Sequence, residues 1–363
     1  PGTGGLTRIV DKRKVRRDLA DVFCTTAEGV RADRAKEWKL VDHAAKPQQF
    51  AEFVRNRALE LAKASDRPGG KGVALTPLTH QLVDLQVNAQ ARTAEITVKG
   101  PAKEQIPLRQ SADWYPLQLA RELDAAILNL RHNHLDVGLW IFKTRGNVRD
   151  VLDLDLLLQE QSTDWFVRET VGYLRRTFAR LDVSSRSIFA VVEPGSCFAG
   201  TLAELLYAAD RSYMLDAEEN GPSIAFSPLN FGSYPMVNGE ARISAHYCGD
   251  LDAIEKIKSA TGRAIDTAKA KTLGLITSAP DDIDWEDEVR IAIEERVALS
   301  PDALTGMEAS LRFTGRENML TRVFGRLSAW QNWIFIRPNA VGEQGALKVY
   351  GTGAKAKFNW ERV

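Results

Sequence analysis

The feature that most constrains how this chain can fold is an internal repeat. Residues 1–41 open with PGTGGLTR and close with TAEGVRADRAKEWKLV, and residues 235–276 open with PMVNGEAR and close with TGRAIDTAKAKTLGLI. In this alignment Arg8 corresponds to Arg242, and the register slips by one residue between the two ends of the repeat. Because self-similarity at a fixed offset marks a unit of architecture that occurs more than once, we expect the same architecture twice in the chain.

Each copy of the repeat opens with a turn, which in the first copy is Pro-Gly-Thr-Gly-Gly at residues 1–5. Such a turn needs backbone angles that glycine adopts most readily, and it predicts a helix that begins near Leu6. Free N–H groups at the start of a helix favour an oxyanion, so Gly4 and Gly5 are candidates for contact with a substrate. The alternative is a turn that only joins a strand to a helix.

Composition excludes several classes of function. The chain has 363 residues, 44% of them hydrophobic, with 48 acidic and 48 basic side chains, so no surplus charge attracts it to nucleic acid or to an anionic membrane. Cys24, Cys197 and Cys248 are scattered, which argues against disulfides and zinc and favours a reducing compartment. No apolar run has the length of a membrane span. We therefore expect a cytoplasmic protein without nucleic-acid or membrane partners.

Hydrophobic periodicity predicts an α/β fold. Helical apolar spacing alternates with short, continuously apolar runs typical of buried strands, and this alternation indicates crossover units. The predicted helices lie at 48–65, 80–89, 117–130, 165–181 and 201–209, and the predicted strands at 94–98, 137–142 and 187–192. Beyond Pro280 the spacing is helical again.

The PGTGGLTR turn, followed by a helix and by TAEGVRADRAKEWKLVD, resembles the second half of the signature of the crotonase (enoyl-CoA hydratase/isomerase) family, with Lys39 where that signature usually has glycine. The resemblance covers the whole chain when the second copy is counted. It implies two crotonase-like units in tandem, the first only partly present, with Gly4, Gly5 and Arg8 binding substrate. The implied division is the end of the first unit at 1–47, a helical linker at 48–90, a degenerate second unit at 91–280 and a helical C-terminal region at 281–363.

The second copy departs from that family where the chemistry would be. Glu204 stands six residues before Asp210, the place of a catalytic glutamate, but residues 200–202 replace the glycine run that presents an N–H group to the thioester oxygen. Pro228, seven residues before Pro235, stands where the second acid would be. Without a pair of acids, acid–base catalysis is not available, so we expect a structural second copy. The same count in the first copy places its catalytic acids upstream of Pro1, where the protein is expected to extend.

The sequence DKRKVRRDLADVFCTTAEGVRADRAKEWKLVD and the long second copy most resemble family members that open the ring of activated benzoyl-CoA. The implied reaction converts 2,3-epoxybenzoyl-CoA to 3,4-dehydroadipyl-CoA semialdehyde and formate. It implies no metal and no cofactor apart from the coenzyme A of the substrate. One alternative is an enoyl-CoA hydratase or isomerase, and another is a non-catalytic structural or dimerisation module.

Four further features leave alternatives open. The basic run at 11–18 is a solvated face, a contact for the phosphates of coenzyme A, or a nucleic-acid contact. His132 and His134 are spaced too closely to share a helix face, which argues against a metal site. Cys197 is either a small buried thiol or a nucleophile. The apolar helices at 300–336 form either core or a subunit interface, and the interface would make a homodimer.

Overall fold

The structure is a computed structural model that describes residues 4–66, 69, 71–217, 219–315 and 317–362. Contacts between residues divide the chain into two compact units, Pro1–Lys71 (unit 1) and Gly72–Val363 (unit 2). Residues 1–3 of the opening turn lie outside the described residues. The domain boundaries expected at 47, 90 and 280 stay predictions.

Unit 1 is helical in its described part. Its helices are α1 (Gly5–Thr7), which continues as a π-helical turn at Arg8–Lys12, α2 (Arg17–Thr25), α3 (Ala32–Glu37) and α4 (Phe50–Ala62). The helix expected near Leu6 and the helix expected at 48–65 are thus both present. None of the residues of α4 is buried.

The two copies of the repeat end in the same local structure. Helix α3 in unit 1 and helix α11 (Thr267–Thr272) in unit 2 each have six residues. Two residues after each helix the backbone turns left-handed, with φ +63° at Lys39 and +69° at Gly274. The next residue donates its N–H to a carbonyl inside the helix, Ala35 at 2.8 Å in the first copy and Ala270 at 2.9 Å in the second. The first copy therefore keeps a glycine-type helix end with a lysine in the glycine position.

Unit 2 is built on a five-stranded sheet with the order β1-β2-β3-β4-β5. Strands β1 and β2 form an antiparallel hairpin, and the other neighbours are parallel, so the sheet is mixed. The strands are β1 (Val83–Asn88), β2 (Thr93–Lys99), β3 (Leu139–Arg145), β4 (Ser187–Val192) and β5 (Arg211–Met214). All six residues of β4 are buried, which explains why its sequence is apolar without alternation.

Helices that lie between and after the parallel strands contribute to the large core. They are α5 (Tyr115–Asn133), α6 (Val148–Glu160), α7 (Trp165–Asp182), α8 (Gly200–Tyr207), α9 (Arg242–His246), α10 (Leu251–Ser259) and α11. The predicted α/β class is confirmed, as are α5, α7, α8, β2, β3 and β4. Among the described residues, no helix is both long and apolar enough to cross a bilayer.

One predicted helix is wrong. The stretch at 80–89 contains strand β1, whose residues pair with β2 from Val83 opposite Val98 to Asn88 opposite Thr93. Apolar and polar residues alternate in Val-Asp-Leu-Gln-Val, which is the period of a strand that is covered on one face. Pairing with β2 supplies the backbone hydrogen bonds that a helix would otherwise form within itself.

Two of the helices that follow residue 284 pack on the sheet. Helix α12 (Trp285–Val297) places Ala292 in a cluster with Leu139 and Phe189 of the central strands. Helix α13 (Pro301–Arg312) contacts β4. The remaining helices are α14 (Met319–Thr321), α15 (Leu327–Ile334), α16 (Pro338–Val341) and α17 (Ala346–Val349). These helices belong to the same compact unit as the sheet.

Candidate active site

In the opening turn, the side chain of Arg8 lies close to Gly4, and both are predicted substrate-binding residues. Gly4 has a left-handed backbone, with φ +77°, and Gly5 begins helix α1. A Cβ atom on Gly4 would lie 3.8 Å from a guanidinium nitrogen of Arg8, so the exposed Arg8 side chain lies over the turn. Only Gly4 requires a glycine conformation, and the binding role of Gly4, Gly5 and Arg8 stays a prediction.

Glu204 in unit 2 is held by two donors. Helix α8 begins at Gly200, directly after the loop that follows β4, and places Glu204 in the core with 2% of its surface exposed. The side-chain amide of Asn230 donates to one carboxylate oxygen at 2.7 Å. A guanidinium nitrogen of Arg242 donates to the other oxygen at 3.0 Å. Each oxygen of the predicted catalytic position is therefore already bonded inside the protein.

Arg242, the repeat counterpart of Arg8, is the centre of this network. It is 1% exposed, and besides Glu204 it donates to the carbonyl of Tyr234 at 2.7 Å and to the carboxylate of Asp182 at 2.9 and 3.1 Å. A buried cation between two carboxylates is stabilised only while its partners stay in place. The arrangement fixes Glu204 in one position and gives it no contact with solvent.

The N–H groups of Gly200 and Thr201, at the start of α8, are bonded within the protein as well. The N–H of Gly200 donates to the carbonyl of Ala225 at 3.0 Å, and the N–H of Thr201 donates to the carboxylate of Asp155 at 2.7 Å. The hydroxyls of Thr201 and Ser227 also donate to Asp155, at 2.5 and 2.6 Å. Gly200 has φ +42°, and a Cβ there would collide with the Asp155 carboxylate. The carboxylate of Asp155 thus bonds an N–H in the segment that, by the family resemblance, would face a thioester oxygen.

Burial dominates the titration of both carboxylates. It raises the pKa of Glu204 to about 7, against the opposing effects of Arg242 and Asn230. It also raises the pKa of Asp155 to about 6, against three hydrogen bonds from Ser227 and Thr201. A raised carboxyl pKa is common at catalytic sites. Here the donors to both carboxylates are side chains and N–H groups of the protein itself, so a raised pKa is also consistent with a purely structural network.

The side chain that bonds Glu204 in this part of the chain is one that the sequence did not indicate. Pro228, the position counted for the second acid, is exposed and opens a short 3-10 helix that Ser227 caps. Asn230, two residues later, is the side chain that reaches Glu204. Neither Asn230 nor Asp155 was singled out from the sequence, although Asn147, which caps α6, marks the start of the helix that carries Asp155.

The other candidate residues have surroundings of their own. Cys197 is fully buried, as one of its two interpretations expects, and burial raises the pKa of its thiol to about 11. His132 and His134 lie at the end of α5. In the basic run of unit 1, Arg13 binds Asp42 at 3.0 Å.

Comparison with known proteins identifies the relatives of this chain. No protein-family model matches it. It is 57% identical to the benzoyl-CoA-dihydrodiol lyase of Aromatoleum evansii in an alignment of 378 residues that covers 100% of this chain and 68% of that protein.

Solved structures of enoyl-CoA hydratases share the fold. The enzyme from Geobacillus kaustophilus HTA426 superposes with a TM-score of 0.56 at 16% identity, covering 77% of this chain and 97% of that one. The enzyme from Bacillus anthracis gives 0.55 at 16% identity and is covered completely. The fold is thus that of the crotonase superfamily, and by its identity to the lyase the chain belongs to the benzoyl-CoA-dihydrodiol lyase family.

Proposed function

We propose that this protein is a lyase that opens the ring of 2,3-epoxybenzoyl-CoA, or of the corresponding 2,3-dihydro-2,3-dihydroxybenzoyl-CoA. Water is added, a one-carbon fragment leaves as formate, and 3,4-dehydroadipyl-CoA semialdehyde remains. The observation that carries the proposal is the 57% identity to a benzoyl-CoA-dihydrodiol lyase over the whole chain. The enoyl-CoA hydratases share only the fold, at 16% identity, which disfavours the hydratase alternative.

We further propose that the chain contains two crotonase-like units and that the second performs no catalysis. Unit 1 has 71 of the 363 residues, whereas a complete hydratase superposes on 77% of the chain, so most of that superposition falls in unit 2. The matching helix ends of the two repeat copies support a partial first unit. The bonded oxygens of Glu204 and the occupied N–H of Thr201 support a structural role for the second.

The partners and the setting of the reaction are also proposals. The substrate is a coenzyme A thioester, the coenzyme is part of that substrate, and no metal or redox cofactor takes part. The protein acts in the cytoplasm as a homodimer, without membrane or nucleic-acid partners. Helices α14 and α15 and the residues around them expose large apolar side chains, including Met319 at 73%, Phe324 at 67% and Ile336 at 75%, which supports a subunit interface there. If so, Phe324→Asp converts a dimer to a monomer in light scattering.

The decisive experiment incubates the purified full-length protein with 2,3-epoxybenzoyl-CoA and, separately, with crotonyl-CoA. Release of formate from the first substrate and no hydration of the second is the expected result. Rapid hydration of crotonyl-CoA without formate would favour the hydratase. If neither substrate changes while the protein is folded by circular dichroism, the non-catalytic module becomes the better interpretation.

A further inference from the structure

Charge is distributed unevenly between the two units. Unit 1 has 16 lysine and arginine side chains against 10 aspartate and glutamate side chains, although the whole chain balances 48 against 48. Unit 2 therefore carries the matching surplus of acids. The neutral net charge of the chain thus hides a basic unit 1, and a surface of one charge attracts ligands of the opposite charge.

Half of this surplus comes from residues 11–18, which we call the basic corner. They connect the π-helical turn to α2 and include five basic side chains and two acidic ones. Val15, in the middle of the corner, is only 4% exposed and fixes its position. Lys12, Lys14 and Arg17 around it are exposed. The corner therefore presents cations to solvent.

A lysine from another part of unit 1 joins the basic corner. Nε of Arg13 donates to the carbonyl of Lys39 at 2.8 Å, and the same guanidinium binds the carboxylate of Asp42 at 3.0 Å. These two contacts hold the turn that follows α3 against the corner. Because Lys39 is exposed, it adds its charge to the same surface.

Four cations of this surface lack an acidic partner. Asp42 is bonded to Arg13, and Asp18 is bonded to Arg16 at 2.6 Å. In the part of unit 1 that the structure describes, no carboxylate pairs with the other four, which are Lys12, Lys14, Arg17 and Lys39. Like charges that are held close together repel each other, so a ligand with several negative charges would stabilise this arrangement.

Two of the four cations have a backbone conformation that glycine adopts at lower cost. Lys14 has φ +57° and Lys39 has φ +63°, in the left-handed region that a Cβ atom disfavours. Such strained residues are found most often at ligand sites, where another interaction compensates for the strain. Both side chains are exposed, so packing does not compensate for it here. A bound anion would.

We propose that the basic corner, together with Lys39, binds the phosphate groups of the coenzyme A thioester. This proposal rests on the proposed function, which makes coenzyme A part of the substrate. Coenzyme A carries a diphosphate and a 3′-phosphate, and phosphate groups are typical ligands of lysine and arginine. Its pantetheine arm separates these phosphates from the thioester. In the same way, the helical residues 5–12 separate the corner from the opening turn, where contact with the substrate is predicted.

The test measures by calorimetry how tightly the full-length protein binds benzoyl-CoA and benzoyl-pantetheine, which has the same thioester and no phosphate. Lys14→Gly and Lys39→Gly each remove one unpaired charge and relieve a left-handed backbone, so neither variant should unfold more easily than the wild type. Each is expected to bind benzoyl-CoA about threefold more weakly, and the double variant about tenfold, as for exposed charge pairs. Binding of benzoyl-pantetheine should not change.

Lys63→Gly is the matched control. Lys63 is an exposed lysine of unit 1 at the end of α4, and its φ of −62° is helical. This variant changes the net charge equally and should keep its affinity for benzoyl-CoA.

Three results would overturn the proposal. The first is an equal loss of affinity in Lys63→Gly, because then only the total charge of unit 1 matters. The second is an unchanged affinity of the double variant for benzoyl-CoA. The third is tighter binding of a DNA duplex that the double variant loses, which would assign the corner to nucleic acid. Binding is measured without turnover, so a failure to release formate would overturn the proposed function and leave this result intact.

Discussion

Glu204→Gln tests whether the second unit takes part in catalysis. Both carboxylate oxygens of Glu204 are bonded to Asn230 and Arg242, and the neighbouring N–H of Thr201 is bonded to Asp155. A group held in this way cannot exchange protons with a substrate. We therefore expect turnover per folded molecule to stay within about twofold, which is roughly 0.4 kcal/mol in activation free energy.

The same substitution has a signature in stability. Burial raises the pKa of Glu204 from 4.5 to about 7, while in the unfolded chain it is near its ordinary value. The folded state thus binds the proton more tightly. The stability that this proton gives the folded state is fully present below about pH 4 and is lost as the pH rises through about 7. At about 1.4 kcal/mol per pKa unit, the loss is roughly 3 kcal/mol. Glutamine does not titrate, so the free energy of unfolding of the wild type should fall relative to the variant over this range.

Urea unfolding of both proteins at pH values near 5, 6, 7 and 8 measures this difference, and the ring-opening assay measures turnover. Asp155, whose pKa is also raised by burial, is present in both proteins, so its contribution cancels. A constant or growing advantage of the wild type with rising pH would refute the reasoning, because it would mean that Arg242 stabilises the carboxylate by more than burial costs. A hundredfold loss of turnover would show that unit 2 has a working acid.

The remaining predictions concern the ion pairs and the turns. Arg242→Met leaves two buried carboxylates without their cation, so chemical unfolding should show a loss of about 3–5 kcal/mol; a loss below 1 kcal/mol would contradict the burial of the network. Gly4→Ala forces a left-handed alanine and should lower the free energy of unfolding by about 1–2 kcal/mol, whereas Gly5→Ala, in a helical position, should not; equal effects would contradict the turn geometry. Lys39→Gly should stabilise unit 1 by up to about 1 kcal/mol, and Gly274→Ala should destabilise unit 2 by a similar amount, both measured by thermal unfolding; opposite signs would refute the shared helix end.

Local patterns in the sequence predicted the elements whose burial follows a simple period. The run Ser-Ile-Phe-Ala-Val-Val is strand β4 to the residue, and the spaced apolar residues from Trp165 to Leu181 lie in α7. Helix α6 was not among the predicted helices. Val151, Leu154 and Leu158 are buried at helical spacing, so the signal was present.

The candidate site could not be predicted from local patterns because its contacts are long-range. Arg242 lies 38 residues from Glu204 and 60 residues from Asp182, and Asp155 lies 46 residues from Thr201. Counting along the chain pointed to Glu204 and Pro228, and the roles given to these two positions stay predictions. The hydrogen-bond partners of Glu204 and Thr201 depend on how helices α6, α7, α8 and α9 pack. No spacing in the sequence specifies that packing.

In the proposed non-catalytic unit 2, two polar networks, joined through Ser227–Asn230 and Thr201–Tyr234 hydrogen bonds, take the place of a crotonase-type site. The first holds Glu204 through Asn230 and Arg242, and the second uses Asp155 to bond the N–H that would otherwise face a thioester oxygen. Replacing Pro228 with an acid would alter neither network. Removing Arg242 alone would leave Glu204 buried without its cation, which favours its neutral form, and the N–H of Thr201 would still be bonded to Asp155. Because each network is stable only as a complete set of partners, restoring chemistry in unit 2 would require both to be replaced together.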